Sequence, residues 1–451
     1  MPAVTRRSLL RRALSMTAAA GGLAALAGCG LVAPARLGAP PDLVLLDPGR
    51  APGAAGPDLG DVARAFAAAY NRAVGSAAHV VVRRPPGSVS TDSGAAYMRA
   101  LLADAPPLAA DLLLTTPAVR NLLDAPALMV DLGPALARSG LAAGLYPELL
   151  RYGAPGGRQR MIPVFRDPLV LYYNVDAFSR AGVDPPVGTW TIDRLLWLCQ
   201  KLQTRPAGRM TPLASAVSAF DLELLAAFVR GYGGEMLSPL GGAGGSGPAS
   251  GYAPAFATPE ALLGIDALLQ LHPYEPAQPT ASPRTLFARG DAAMYFGHHR
   301  DVFALRTQIA GLFAWNVAAL PRFPQRAAQP VFAEGLAAIA RNPAHRIPAT
   351  AAALYAASPP GQAAMAATGY GVPALRALAG SPTWRQAAPH LHNDVFVADT
   401  GADFVVEAAL HYIGPQLRAA LVAARNGAPV ATIFEQASTA VEFTLQTWPN
   451  V

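Results

Sequence analysis

The sequence predicts an α/β protein built from two domains, and three observations carry that expectation. At 451 residues the chain exceeds what one ordinary core of roughly 150 to 200 residues accommodates. Short apolar runs with strand character alternate with longer segments of helical periodicity, the pattern of a parallel sheet covered by helices. Beyond the N-terminal segment, no charge-free apolar stretch is long enough to cross a bilayer, so a soluble body with room for a ligand cleft is expected.

Taken in order, a Pro/Gly/Ala-rich stretch from Leu31 to Pro41 precedes Leu43-Val44-Leu45-Leu46, which has the length and character of a buried strand. Val62 to Val74 has helical spacing, with Phe66 and Tyr70 four apart on one face. Val80-Val81-Val82 supplies a second strand, Ala95 to Leu102 a helix, and Leu112-Leu113-Leu114 a third strand. The run from Met161 through Tyr172 again has strand character. Asn174 and Asp176 are placed to cap a short helix that Gly182 ends; Pro185-Pro186 marks a loop before Trp190, and Thr191 caps a helix to Leu202. Ser238 to Pro254 is dominated by Gly, Pro, Ala and Ser and predicts a flexible surface loop. It lacks the preceding strand and the Gly-Lys-Ser/Thr ending of a phosphate-cradling loop. No repeat with a period of 20 to 50 residues is evident.

Charged residues make up only 14% of the chain, and the formal net charge of +6 rests on arginine, with Lys201 the sole lysine. Four arginines (Arg6, Arg7, Arg11 and Arg12) lie in the first 28 residues, so removing that segment leaves about +2. Nucleic-acid binding thereby loses its electrostatic support. The two cysteines have separate expected fates: Cys29 closes the leader, and Cys199 lies among apolar helix residues as a buried thiol.

Thr5-Arg6-Arg7-Ser8-Leu9-Leu10-Arg11 resembles a twin-arginine export signal, with Leu9 in place of the commoner Phe and Arg11 in place of Lys. Ala13 to Ala27 is an apolar Ala/Gly segment too short for a stable span. Leu26-Ala27-Gly28-Cys29 is similar to a bacterial lipobox. This predicts a removable leader over residues 1–28 and a lipid-modified Cys29, with residues 29–41 as a tether. The protein would then be exported and held at the outer face of the cytoplasmic membrane or in the cell envelope.

Further motifs run in a fixed order: Pro163-Val164-Phe165-Arg166-Asp167-Pro168 through Asn174, then Ala181-Gly182-Val183-Asp184-Pro185-Pro186 with Thr189-Trp190. Tyr232-Gly233-Gly234, Phe287-Ala288-Arg289-Gly290-Asp291-Ala292-Ala293-Met294, Ala318-Ala319-Leu320-Pro321, Ser358-Pro359-Pro360-Gly361-Gln362 and Gly371-Val372-Pro373-Ala374-Leu375 follow. Together they resemble the extracellular solute-binding proteins of bacterial sugar ABC importers, of the maltose-binding-protein type. The resemblance implies two α/β lobes joined by several crossovers, closing by hinge motion on a solute in the cleft. Lobe 1 would comprise residues 42–167 plus 330–368, and lobe 2 residues 168–329 plus 369–451. It also implies a monomeric receptor without cofactor or metal, which delivers its solute to membrane permease subunits and has no catalytic role.

Sugar recognition needs aromatic faces against C–H patches and polar side chains for hydroxyls. The segments that the resemblance places at the cleft offer Arg166, Asp167, Tyr232, Glu235, His298, Arg300, Glu334 and Tyr370 as ligand-binding residues. Arg166 and Asp167 are adjacent charges inside an apolar run, where either needs a partner. Many sugar binders carry a Trp shortly after the glycine equivalent to Gly297; His298-His299-Arg300 stands there instead. That substitution admits a phosphorylated or otherwise anionic solute beside a neutral sugar or polyol, because arginine binds such oxygens bidentately.

Two other functions compete. His390-Leu391-His392-Asn393-Asp394 resembles the start of a metallohydrolase cluster, although Val395 stands where a histidine is expected. An exported metal-dependent hydrolase is therefore the catalytic alternative, and a non-transport lipoprotein of the same fold the structural one. Ser246 lacks the G-x-S-x-G elbow of serine hydrolases, since Pro248, two residues on, stands where the second Gly belongs.

Overall fold

The computed structural model describes residues 42–47, 57–75, 78–84, 110–115, 128–154, 157–203, 211–214, 222–239, 252–276, 281–339, 342–382, 384, 393–398, 403–405, 410 and 413–446. The leader with Arg6 and Arg7, Cys29 and the tether lie outside them, as do the expected helix at 95–102, most of the Gly-rich segment, and His390 and His392.

The expected strands are present as β1 (Leu43–Leu46), β2 (Val80–Arg83) and β3 (Leu112–Thr115), with β1 parallel to both others. Helix Leu59–Val74 crosses between β1 and β2. It starts with a reciprocal capping box in which Asp58 Oδ1 accepts from the Asp61 amide at 2.8 Å and Asp61 Oδ2 from the Asp58 amide at 3.1 Å. Its Phe66 and Tyr70 rings stack, with centroids 6.0 Å apart, inside the core.

β4 (Ile162–Asn174) is buried along all thirteen residues. Asn174 caps helix Val175–Ala181 through Oδ1 at 2.9 Å from the Ala177 amide, and Gly182 ends it in the left-handed conformation at φ 65°. Thr191 Oγ1 accepts from the Arg194 amide at the start of helix Ile192–Gln203, which buries Cys199. Burial pushes the Cys199 thiol up to about 12, so it stays protonated.

The remaining strands are β5 (Thr211–Ala214), β6 (Leu237–Pro239), β7 (Tyr252–Pro254), β8 (Ala292–His298), β9 (Trp315–Ala318), β10 (Gln329–Ala338), β11 (Val372–Pro373) and β12 (Asp403–Val405). One ten-stranded sheet runs β2-β1-β3-β10-β4-β8-β5, with β9 and β11 also on β4 and β12 on β10. The expected parallel sheet is thus mixed. β10 enters antiparallel to both β3 and β4, a long-range pairing that local periodicity does not encode. The ends of the expected Ser238–Pro254 loop also differ from expectation, since β6 and β7 pair antiparallel there.

Two large cores flank the sheet. The first gathers β1, β3, residues of β4 from Ile162 as far as Tyr172, most of β10, the helices Arg346–Ala357 and Pro359–Ala366, and residues on to Phe396; it also takes in Phe287, Tyr295, Leu305 and Phe313. The second gathers the end of β4, helices Ile192–Gln203, Leu222–Gly231 and Pro259–Leu269, and the C-terminal helices Gly414–Arg425 and Val430–Gln446. The result is a two-lobed α/β fold sharing β4 and β10. Among the described residues, no helix is long and apolar enough to cross a membrane.

Candidate solute site at the lobe junction

β4 changes partners midway. Residues Ile162 to Pro168 pair with β10, and Leu169 to Tyr173 pair with β8, so Asp167 and Pro168 stand where the strand passes from one lobe to the other. β10 comes back alongside, and its register slips between Glu334 and Gly335. Such a bulge redirects a side chain beside a site. Gly335 permits it, because a Cβ there would collide with the Ile162 carbonyl oxygen.

Successive strand residues face opposite sides, and this separates the two adjacent charges. Arg166 is fully enclosed in the first lobe: Nη1 donates to the Phe396 carbonyl at 2.6 Å, Nη2 to the Ala398 carbonyl at 3.2 Å, and Nε lies 3.7 Å from Glu148 Oε1. The guanidinium also covers the Tyr146 ring at 5.1 Å. Asp167 faces the junction. Its Oδ1 accepts the His299 amide at 2.7 Å, its Oδ2 lies 3.0 Å from Arg300 Nε, and its carbonyl accepts from His298 Nδ1 at 3.1 Å.

Arg300 reaches from the end of β8 to both crossovers. Its Nη1 is 3.7 Å from Glu334 Oε1, and its guanidinium lies 4.6 Å from the centre of the Phe332 ring. Tyr370 donates from its hydroxyl to the same Glu334 oxygen at 2.9 Å and packs on Phe165. Burial lifts the Asp167 and Glu334 carboxyls above their ordinary values, and Arg300 opposes the lift at both. Burial opposes the Arg300 charge, but the carboxylates, Asp167 foremost, with Glu334 and Asp301, outweigh it and hold the group cationic. Asp301 is the contrasting carboxylate. Burial would raise it, yet Arg284 at 3.1 Å and the His298 amide at 3.0 Å leave it below the usual range.

The structure therefore brings Asp167, His298, Arg300, Glu334 and Tyr370 together. Arg166 belongs to the scaffold behind them. Tyr232 and Glu235 stand apart from the cluster: Tyr232 packs on the second core, and Glu235 lies between Arg230 Nη1 at 2.7 Å and Arg326 Nη2 at 2.6 Å. The glycines beside them serve packing, since a Cβ on Gly234 would come within 2.5 Å of the Ala261 backbone.

Sequence reasoning missed Glu223, Phe332, His299 and Trp384. Glu223 is a buried carboxylate on the apolar helix Leu222–Gly231, with Oε2 3.2 Å from His298 Nε2. An acid in a helix otherwise reading Leu, Ala, Phe and Val was the available signal. The His299 ring lies between Trp384, with centroids 5.3 Å apart and a 36° tilt, and Phe396, 4.9 Å away and edge-on. Trp384 is, with Trp315, an aromatic candidate in the sequence, but an isolated Trp is more often packing than platform, and neither stands among the expected site residues. Among the described residues, no group of three metal-ligating side chains forms; Asp394 begins helix Asp394–Val397.

Hydroxyl-accepting carboxylates, a phenol, a guanidinium and aromatic faces at a lobe junction can hold a polar organic solute. A family model described as bacterial extracellular solute-binding protein matches residues 57–370. Comparison with curated proteins gives no match. Solved structures share the fold. UgpB of Mycobacterium tuberculosis in complex with glycerophosphocholine superposes with a TM-score of 0.71 at 16% identity, covering 90% of this chain and 98% of its own. The cyclic alpha-maltosyl-1,6-maltose binding protein of Arthrobacter globiformis gives 0.70 at 17%, covering 90% and 100%. An ABC substrate-binding protein of Listeria monocytogenes in complex with cycloalternan gives 0.70 at 14%, covering 90% and 99%.

Proposed function

Since the chain belongs to the bacterial extracellular solute-binding proteins, we propose that it is the receptor of an ABC importer for a neutral carbohydrate or related polyol. The solute is captured between the lobes and delivered to a membrane permease. The observation that carries this is the junction cluster, in which Asp167, Glu334 and Tyr370 surround Arg300 at the point where both crossovers pass. Hinge motion at Asp167–Pro168 and at the start of β10 opens and closes that point.

The pairing of the arginines supports a neutral solute. Arg300 faces two carboxylates, Arg284 is paired with Asp301, and Arg166 is enclosed. A phosphate would have to displace these partners, whereas a hydroxyl adds to them. Two of the similar structures hold or bind neutral carbohydrates, cycloalternan and a cyclic maltosyl-maltose, which supports a hydroxyl-rich solute; the third holds glycerophosphocholine, whose phosphodiester makes the sugar-phosphate arm of the test below the deciding one.

Thermal unfolding of the mature protein should be shifted upward by a member of a panel of neutral sugars and polyols, and not by sugar phosphates. Solute at a hundredfold over its Kd adds about 2.7 kcal/mol. A panel without any shift removes the solute class.

The lipid on Cys29 is the proposed anchor, and the residues after it give the receptor reach from the membrane. Cys29→Ala should move the protein into the soluble fraction on cell fractionation with solute binding intact. A variant that stays with the membrane argues against the anchor.

A further inference from the structure

We infer that His299 is a specificity-determining residue of the solute site, whose Nδ1 lone pair accepts a hydrogen bond from a solute hydroxyl. This rests on the solute-receptor function proposed above.

His299 is 5% exposed, and its Nδ1 is buried without a hydrogen-bond partner among the described residues. Buried polar atoms are nearly always paired, so an orphan acceptor beside a binding cluster calls for a donor from outside the chain. The surroundings define which donor. The amide of His299 is tied to Asp167, which fixes the residue to the first crossover. Trp384 and Phe396 hold the ring plane. The Tyr370 carbonyl favours the ring's proton, while the larger effect of burial keeps the ring neutral. In the tautomer that carries its single proton on Nε2, Nδ1 offers only a lone pair. An ionised phosphate has no hydrogen to give it, and a polyol hydroxyl does. Arg284 Nε is also buried without a partner among the described residues, but its guanidinium is already engaged by Asp301.

The aromatic contacts give His299 a second, purely structural role, and two substitutions separate the roles. His299→Phe keeps a flat ring against Trp384 and removes the acceptor; His299→Asn gives up the ring and places an amide oxygen near the position of Nδ1. Titration calorimetry at pH 7 with glucose, maltose, trehalose and myo-inositol would use whichever probe binds wild type most tightly. The expected result is a loss of roughly tenfold or more in affinity for His299→Phe, the size of one net hydrogen bond, with His299→Asn within about threefold of wild type. Retained affinity in His299→Phe, or equal losses in both variants, overturns this inference and leaves the receptor function standing. A wild-type protein that binds none of the four, nor any other neutral sugar or polyol of the thermal panel, overturns both.

Discussion

Arg166→Ala is expected to lower the stability of the protein by about 3–5 kcal/mol, the usual cost of removing one partner from a buried ionic network. The side chain is fully enclosed, and its truncation would leave the Phe396 and Ala398 carbonyls without their 2.6 Å and 3.2 Å donors. It would also deprive the nearby Glu148 carboxylate of a counter-charge and open a void beneath Tyr146. Arg166→Met keeps most of the volume and should recover part of the loss by filling that void. The measurement is the chemical-denaturation midpoint with its slope held under watch. A loss below about 1 kcal/mol for Arg166→Ala would mean that the clamp between β4 and the segment around Phe396 contributes little.

The second large effect is a dependence on pH. Burial between Trp384 and Phe396 pushes the His299 imidazole down to about 4, against the smaller upward influences of the Tyr370 carbonyl and Asp301. In the unfolded chain it titrates near its ordinary value of about 6.5. Between those two values the unfolded chain holds a proton that the folded one refuses. The contribution of His299 to stability is therefore complete above about pH 6.5, is lost as pH falls towards about 4, and changes no further below that. The difference of about 2.5 units amounts to a contribution on the order of 3 kcal/mol. Asp167 and Glu334 act with the opposite sign, because their raised folded values make the folded state the better proton binder as pH falls. Unfolding free energies at pH 7 and pH 4.5 for wild type and His299→Phe isolate the histidine from those carboxylates. The variant should lose less across the interval; parallel losses would show that the ring is not held neutral.

Much of the fold was legible because local chemistry decides it. Leu43–Leu46 and Leu112–Thr115 are buried strands as their runs predict, and Asn174, Gly182 and Thr191 cap or end their helices through their own side-chain oxygens or lack of a Cβ. The direction of β10 was not legible. Its pairing with β3 joins residues more than two hundred positions apart, and no window of sequence contains both. The site divides in the same way. Asp167, Arg300, Glu334 and Tyr370 stand out as polar residues in apolar or motif-bearing segments, and the structure gathers them. Arg166 looked equivalent to Asp167 in sequence, but alternation along β4 turns it to the opposite face. Glu235 had a nearer claim on it from Arg230 and Arg326.

The sharing of β4 and β10 between the lobes also orders events during synthesis. When a nascent chain has reached Asn174, all thirteen residues of β4 exist, but β8, β9, β10 and β11, which will flank it, do not. The first core remains open until residues up to Phe396 arrive from the ribosome. Non-local pairings of this kind are slow to form and leave strand edges exposed meanwhile. The N-terminal lobe is thus among the earliest parts of this protein to be made and among the last to be finished, with its apolar surface and strand edges open for most of translation.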